Sequence, residues 1–130
     1  MRLWHYRLIP ILPDKMLISQ WRECIAIKRQ WEKGTLKHPL VSYVMNYHKG
    51  YFNNYVSKIV CELDKRKIKF KWLYIDEICN FCNNTYISNN YPEHNNRYLK
   101  QCLFNLQEKY DRGIINFNEW NKIEQDFIYK

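Results

Sequence analysis

Apolar residues recur every three or four positions along much of the chain, which is the spacing of helices that bury one face. The clearest case is 14–33, where Asp14 is expected to cap a helix and Gly34 to end it. The residues expected on its buried face are Leu17, Trp21 and Cys24. The polar residues of this segment are expected on another side of the helix, so the helix has one apolar side and one polar side.

The middle of the chain follows a similar pattern with more interruptions. The spacing predicts a short helix over 39–47 and a longer one over 51–67, with a break at Lys49 and Gly50. Residues 68–91 mix aromatic and β-branched side chains with asparagine-rich breaks, and we expect an irregular connection there.

Two further helices are predicted near the end of the chain. Pro92 and Glu93 are expected to begin one that Gly113 ends, and Asn118 is expected to cap a short last helix. No strand-like alternation, repeat or domain linker is apparent. The predicted fold is all-α, a compact single domain of four to five helices over residues 1–130.

Composition narrows the class of protein. With 46% hydrophobic and 17% aromatic residues in 130, the chain is not a disordered one. The sequence shows neither a membrane span nor a secretory signal, so we expect a cytoplasmic protein. A formal charge of +8 attracts polyanions, nucleic acid above all, although a basic surface can also serve solubility alone. The basic run at 64–71 is typical both of a solvated helix end and of a phosphate contact.

The five cysteines are expected to be reduced thiols. Cys79 and Cys82, with His94 and Cys102, could form a zinc site, but their spacing matches no common zinc finger, and we expect no metal. Three glycines leave no room for a glycine-rich phosphate loop.

Arg22 and Glu23 stand side by side on the first helix, in the stretch "LPDKMLISQWREC". This stretch resembles the N-terminal helix of the pyrimidine-dimer DNA glycosylase (phage endonuclease V-like) family, in which an Arg-Glu pair lies at the same distance from the chain start. The segment "HPLVSYVMNYHKGYFNNYVSKIVCELDKRKI" resembles the family's second helical region. The opening "MRLWH" looks like a divergent branch of it. The resemblance covers 1–70 well and 91–106 patchily.

The resemblance implies an all-helical DNA repair enzyme, endonuclease V-like in fold, that excises a damaged pyrimidine, a pyrimidine dimer first of all, and then nicks the strand as an abasic-site lyase. The implied nucleophile is the N-terminal α-amine, which forms a Schiff base with the sugar before β-elimination. Glu23 is the implied catalytic carboxylate. Because Arg2 is too bulky for the usual removal of methionine, we expect the amine on Met1, or on Arg2 if Met1 is removed. The family implies no cofactor.

The chemistry of amines explains the use of a chain end. An α-amine has a pKa of about 7.7–8.0, against about 10.4 for lysine, so about a tenth of it is neutral at pH 7. Only the neutral amine attacks. The residues expected to contact DNA are Arg22, Arg2, His5, Lys28, Arg29, Lys37 and His38. Trp4 is expected in the core, with a wedge into the DNA as the alternative.

The expected partner is double-stranded DNA with a damaged or abasic site, bound by a monomer that associates with DNA in the cytoplasm. Two alternatives remain open at the level of sequence. One is a helical DNA-binding module that kept the fold and lost the amine chemistry. The other is a helical protein-interaction domain that uses exposed aromatic residues.

Overall fold

The computed structural model describes residues 1–128, which form five α-helices and two short 3-10 helices without a strand. The α-helices are α1 (Asp14–Glu32), α2 (Lys49–Lys65), α3 (Trp72–Phe81), α4 (Asn96–Asp111) and α5 (Phe117–Phe127). The predicted all-α fold with four to five helices is confirmed.

The chain reaches α1 through a 3-10 helix, Tyr6–Ile11, that packs against α2. Pro13 is the N-cap residue of α1, so the prediction that Asp14 caps this helix is wrong. Asp14 is instead its first residue, where a carboxylate still favours the positive end of the helix dipole, and it accepts a hydrogen bond from Arg66 at 2.9 Å. The predicted inner face of α1 is confirmed, because Leu17, Trp21 and Cys24 are all buried.

The start of α2 differs from the prediction. The side chain of His48 caps it by accepting a hydrogen bond from the Gly50 N–H at 2.9 Å, so Lys49 and Gly50 lie in its first turn and do not interrupt it. A Cβ on Gly50 would lie 2.7 Å from the side chain of Ile87, and glycine permits this close approach. Within the predicted helix 39–47 the structure has only a 3-10 helix, Ser42–Asn46.

Helix α3 contradicts the expectation that all of 68–91 is irregular. It packs against α1 and α2, yet Ile78 is its only buried residue within the helix as described, and Trp72 and Leu73 are exposed. Apolar residues on its outer side therefore obscure the helical period in the sequence. Tertiary contacts, which sequence pattern does not reveal, favour the helix here.

Both C-terminal helices begin with an asparagine cap. Asn95 accepts a hydrogen bond from the Tyr98 N–H at 2.9 Å, so Pro92 and Glu93 precede α4 instead of beginning it. Asn116, not Asn118, caps α5 in a capping box with Glu119. Gly113, at φ +74°, follows α4 as predicted. The asparagine caps supply the hydrogen bonds that the first amides of each helix lack.

The helices enclose one buried cluster that runs from Leu3 to Ile123. Helix α1 packs on α2 and α3, and α4 pairs with α5. Among the described helices, none has the length and apolar character needed to cross a membrane. The first six residues make hydrogen bonds to side chains of α1, α2 and α4, so three helices fix the position of the chain start.

Candidate active site

The N-terminal segment is held by buried side chains on both sides of Trp4. Gln20, 1% exposed, donates from Nε2 to the Arg2 carbonyl oxygen at 2.9 Å and accepts the Trp4 N–H at Oε1 at 2.7 Å. The Tyr55 hydroxyl donates to the Trp4 carbonyl oxygen at 2.6 Å. Buried backbone groups outside regular structure need such partners, and here they tie the segment to α1 and α2.

Two further anchors come from the region of α4. The Tyr98 hydroxyl donates to the Leu3 carbonyl oxygen at 2.5 Å. The Tyr6 N–H donates to Nδ1 of His94 at 3.3 Å. With the bonds to Gln20 and Tyr55, almost every residue near the chain start has its backbone fixed, which restricts where the terminal amine can go.

An open cleft of about 500 Å³ lies at the chain start. Met1, Arg2 and Glu23 all line it, so the structure brings together the two predicted catalytic positions. The other lining residues are Trp4, Lys15, Met16, Ser19, Gln20, Asn105, Glu108, Lys109, Arg112 and Ile114. The cleft therefore joins the N-terminal half of α1 to the C-terminal half of α4.

Partial burial raises the pKa of the Glu23 carboxyl. The positive charge of the Met1 α-amine opposes this rise most, followed by hydrogen bonding from the Arg2 backbone and the Gln20 side chain and by the charge of His38. The Gln20 amide nitrogen lies 3.0 Å from Glu23 Oε2. The charge of the amine thus acts on the carboxylate across the cleft, in a setting that makes this carboxyl a weaker acid than usual.

Three basic side chains on the cleft wall were not predicted from the sequence. Lys15 comes from α1, Lys109 from the last turn of α4, and Arg112 from just beyond it. Lysine and arginine at the end of a helix are common for reasons of helix stability alone. No local signal in the sequence distinguishes Lys109 and Arg112 from such residues, and only the fold brings them opposite α1.

The predicted DNA contacts on α1 differ in accessibility. Arg22 is exposed. Arg29 is also exposed, and it forms a two-point ion pair with Glu77 at 3.0 and 3.1 Å. Lys28 is 5% exposed and lies 3.0 Å from Glu32 and 3.2 Å from Glu77. Its expected contact with DNA is therefore wrong for this conformation, since its ammonium group is buried and already neutralised.

His5 is a second correction to the predicted contacts. It is 1% exposed, and its Nδ1 accepts the Arg7 N–H at 3.1 Å, so the ring cannot reach a phosphate from this position. Lys37 is exposed and His38 half-buried, so both remain accessible. Trp4 is buried as expected, with one side of it forming part of the cleft.

His94 uses both ring nitrogens within the protein. Because Nδ1 accepts from Tyr6, Nε2 carries the proton and donates to the Tyr43 hydroxyl at 2.7 Å. Burial lowers the pKa of His94 to about 3, so the ring is neutral at physiological pH. Within residues 1–128, no three His, Cys, Asp or Glu side chains are grouped to hold a metal ion.

Residues 1–76 match the family model described as pyrimidine dimer DNA glycosylase. The chain belongs to this family. No match was found among curated proteins or among solved structures. Membership in a DNA glycosylase family makes DNA the implied class of substrate.

The match to the pyrimidine dimer DNA glycosylase family covers α1 and α2 completely and the first part of α3. It therefore includes Met1, Gln20 and Glu23 and one wall of the cleft. The other wall, with Lys109 and Arg112 from the region of α4, lies beyond the matched residues. Sequence reasoning also missed Gln20, although a polar residue on the buried face of α1, three positions before Glu23, is a signal that could have identified it.

Proposed function

We propose that this protein is a DNA glycosylase with abasic-site lyase activity, acting on damaged pyrimidines, pyrimidine dimers first of all. The observation that carries the proposal is the meeting of the Met1 α-amine and the Glu23 carboxylate in one open cleft. If Met1 is removed in the cell, the α-amine of Arg2 takes the same role.

In the proposed reaction, the lone pair of the neutral amine attacks C1′ of the damaged nucleotide. The new C–N bond forms as the glycosidic bond breaks, and the base leaves with the bonding electrons and takes up a proton. The nitrogen then loses a proton, and the C1′–O4′ bond breaks as O4′ takes up a proton, which gives a protonated imine. Loss of a proton from C2′ breaks the C3′–O bond by β-elimination, which nicks the strand.

Glu23 has two tasks in this scheme. As a carboxylate it stabilises the positive charge that develops on the sugar, and as a proton acceptor and donor it serves the transfers before and after imine formation. A carboxyl whose pKa lies above its usual value, as burial arranges here, is better matched to proton transfer near neutral pH.

The DNA backbone is proposed to run along the basic sides of the cleft. Arg2, Lys15, Lys109 and Arg112 supply positive charge there, and phosphate contacts of this kind provide most of the sequence-independent affinity. The exposed members of the predicted contact set extend this surface along α1 and just beyond it. They are Arg22, Arg29 and Lys37, and the half-buried His38 lies next to Lys37.

The chemistry needs only groups of the chain itself, so we propose that no metal or organic cofactor takes part. We further propose that the chain acts as a monomer and a single domain. Its site lies within one chain, between α1 and α4, and needs no residue of a second copy.

Borohydride trapping tests the enzymatic proposal. Reduction of the imine should yield a covalent complex with an oligonucleotide that carries an abasic site, and acetylation of the terminal amine should abolish it. Absence of a complex, under conditions that trap a control lyase, would refute the proposed enzymatic activity. Salt-sensitive DNA binding without trapping would then indicate a binding module, and negligible DNA affinity at low salt a protein-interaction domain.

Glu23→Gln tests the role of the carboxylate. We expect turnover to fall by roughly 100-fold or more, within the usual range for loss of a general acid–base group, while DNA affinity survives. Asp64→Asn is a matched control, because it makes the same chemical change at an exposed position on α2 outside the cleft. Equal turnover for the two variants would remove Glu23 from the mechanism.

A further inference from the structure

The Gln20 amide is used completely. Its oxygen accepts from the Trp4 N–H at 2.7 Å and lies 3.1 Å from the Tyr55 hydroxyl oxygen, whose one proton also faces the Trp4 carbonyl oxygen at 2.6 Å. Its nitrogen donates to the Arg2 carbonyl oxygen at 2.9 Å and to Glu23 Oε2 at 3.0 Å. The Trp4 N–H can only donate, and the Arg2 carbonyl oxygen and the Glu23 carboxylate only accept. These three partners therefore fix the orientation of the amide.

We propose that Gln20 is a positioning residue that holds the amine-bearing segment and the catalytic carboxylate at a fixed separation. This inference rests on the proposed function, which supplies the reason for that separation. A single NH₂ group bridges the two: one hydrogen goes to the backbone next to Met1 and the other to Glu23. Movement of the chain start would therefore change the distance between the terminal amine and the Glu23 carboxylate.

A reaction between an amine and a sugar carbon depends strongly on such placement, because the reacting atoms must approach to about 3–3.5 Å in line. Met1 is exposed and Arg2 is half-buried, so the hydrogen bond from Gln20 to the Arg2 carbonyl oxygen is the anchor nearest the amine. Without this bond the first residues lose that anchor. The Leu3 carbonyl would then be the first fixed group of the backbone, through Tyr98.

The bond from Gln20 also affects the protonation of Glu23. A hydrogen bond donated to the charged form of a carboxyl favours ionisation. The charged groups that act on Glu23 are the Met1 α-amine and His38. Other charged side chains that line the cleft are Arg2, Lys15, Glu108, Lys109 and Arg112. The neutral donors to Glu23 are the Arg2 backbone and Gln20, so the loss of the Gln20 donor should raise the pKa of Glu23 without changing the charge of the cleft.

Gln20→Met removes the amide and keeps the length of the side chain. Its matched control is Asn54→Leu, which removes another buried amide, one that donates to the Asn89 carbonyl oxygen at 2.9 Å and does not line the cleft. Both variants lose buried hydrogen bonds and both should lose stability. Only Gln20→Met should raise the pKa of Glu23, measured by carbon NMR titration of its carboxyl group in the free protein.

Kinetics separate positioning from binding. Although Gln20 borders the cleft, only 1% of it is exposed, which leaves little surface to contact DNA. Gln20→Met should therefore lower the rate of imine trapping by roughly 10- to 100-fold, the loss expected for hydrogen bonds to a charged group. The KM for the oligonucleotide should stay within about twofold. Asn54→Leu should keep the wild-type rate at a temperature where it is folded.

Gln20→Asn serves if Gln20→Met does not fold, since it keeps a neutral buried amide but ends one methylene short of both the Arg2 carbonyl oxygen and Glu23 Oε2. It should also trap slowly and raise the pKa of Glu23. An unshifted Glu23 titration, or wild-type trapping in a folded Gln20 variant, would overturn the inference. If the wild type itself gives no trapped complex, the proposed function fails, while the titration still decides whether Gln20 controls Glu23.

Discussion

Arg66 fixes the segment that leads from the chain start into α1, and its replacement gives a quantitative test of the fold around the site. It lies at the C-cap of α2 with its side chain 17% exposed. Its guanidinium donates to three backbone carbonyl oxygens and two carboxylates. These belong to Ile9 (3.2 Å), Pro10 (3.0 Å), Leu12 (2.5 Å), Glu62 (2.8 Å) and Asp14 (2.9 Å).

The expected loss in Arg66→Met follows from the accessibility of these partners. The bonds to Leu12 and Glu62 join groups that are largely buried, and hydrogen bonds to a charged group contribute about 1.5–3 kcal/mol each. The pair with the exposed Asp14 adds less than about 1 kcal/mol. Water can replace Arg66 at the exposed Pro10. We therefore expect a loss of about 3–6 kcal/mol in the free energy of unfolding from these two bonds.

Urea unfolding followed by tryptophan fluorescence measures this loss, with five tryptophans as reporters. Arg112→Met is the matched control, because Arg112 is exposed and lies 3.6 Å from an exposed Glu108. This control should cost no more than about 0.5 kcal/mol. A loss below about 1 kcal/mol for Arg66→Met, or one equal to that of the control, would refute the role of Arg66 in anchoring the segment.

Three further outcomes are expected. Glu23→Gln should unfold at a higher temperature than the wild type near neutral pH, because burial disfavours the charge. Thermal scans should show the difference growing as pH rises. Glu77→Gln should cost about 1 kcal/mol at pH 7, because the hydrogen bond from Arg29, a half-exposed and therefore screened partner, lowers the pKa of Glu77. In urea titrations this cost should disappear in acid. Gly50→Ala should cost about 1–3 kcal/mol by crowding Ile87, and in an Ile87→Ala background it should cost less, because only the Ile87 backbone nitrogen, at 3.1 Å, then stays close.

The signs of the two pH effects are opposite. The folded-state pKa of Glu23 lies above its unfolded value, so the folded wild type holds that proton more tightly and loses stability as pH rises through this interval. The folded-state pKa of Glu77 lies below its unfolded value, so its contribution is present at neutral pH and is lost as pH falls through the lowered pKa. A pH-independent difference for either variant would contradict the assigned cause.

Helices that bury a continuous stripe of apolar residues could be predicted from the sequence. Helices without such a stripe could not. Helix α1 shows its period because Leu17, Trp21 and Cys24 all face the core. In α3, Ile78 is buried while the apolar Trp72 and Leu73 are exposed, so the pattern misrepresents its environment. Helix starts were misplaced where several potential capping residues occur close together, since only the backbone selects one of them.

The candidate site, too, could be predicted from the sequence only in part. Position near the chain start and similarity to a known helix indicated Glu23 and the terminal amine, and the fold places both in one cleft. The failures at His5 and Lys28 share a cause: sequence shows charge but not burial, and both side chains are enclosed by their neighbours. Lys109 lies more than eighty residues from Glu23 in sequence, so only tertiary structure could bring it to the same cleft.

Mass-spectrometric mapping of the borohydride-trapped complex tests the central claim most directly. The account predicts that the sugar is linked to the α-amine of Met1, or of Arg2 if Met1 is removed. Lys15 and Lys109 line the same cleft and offer competing amines, so the location of the link distinguishes the proposed chemistry from adventitious imine formation. A link to either lysine Nζ, or no complex when a control lyase is trapped, would contradict the account.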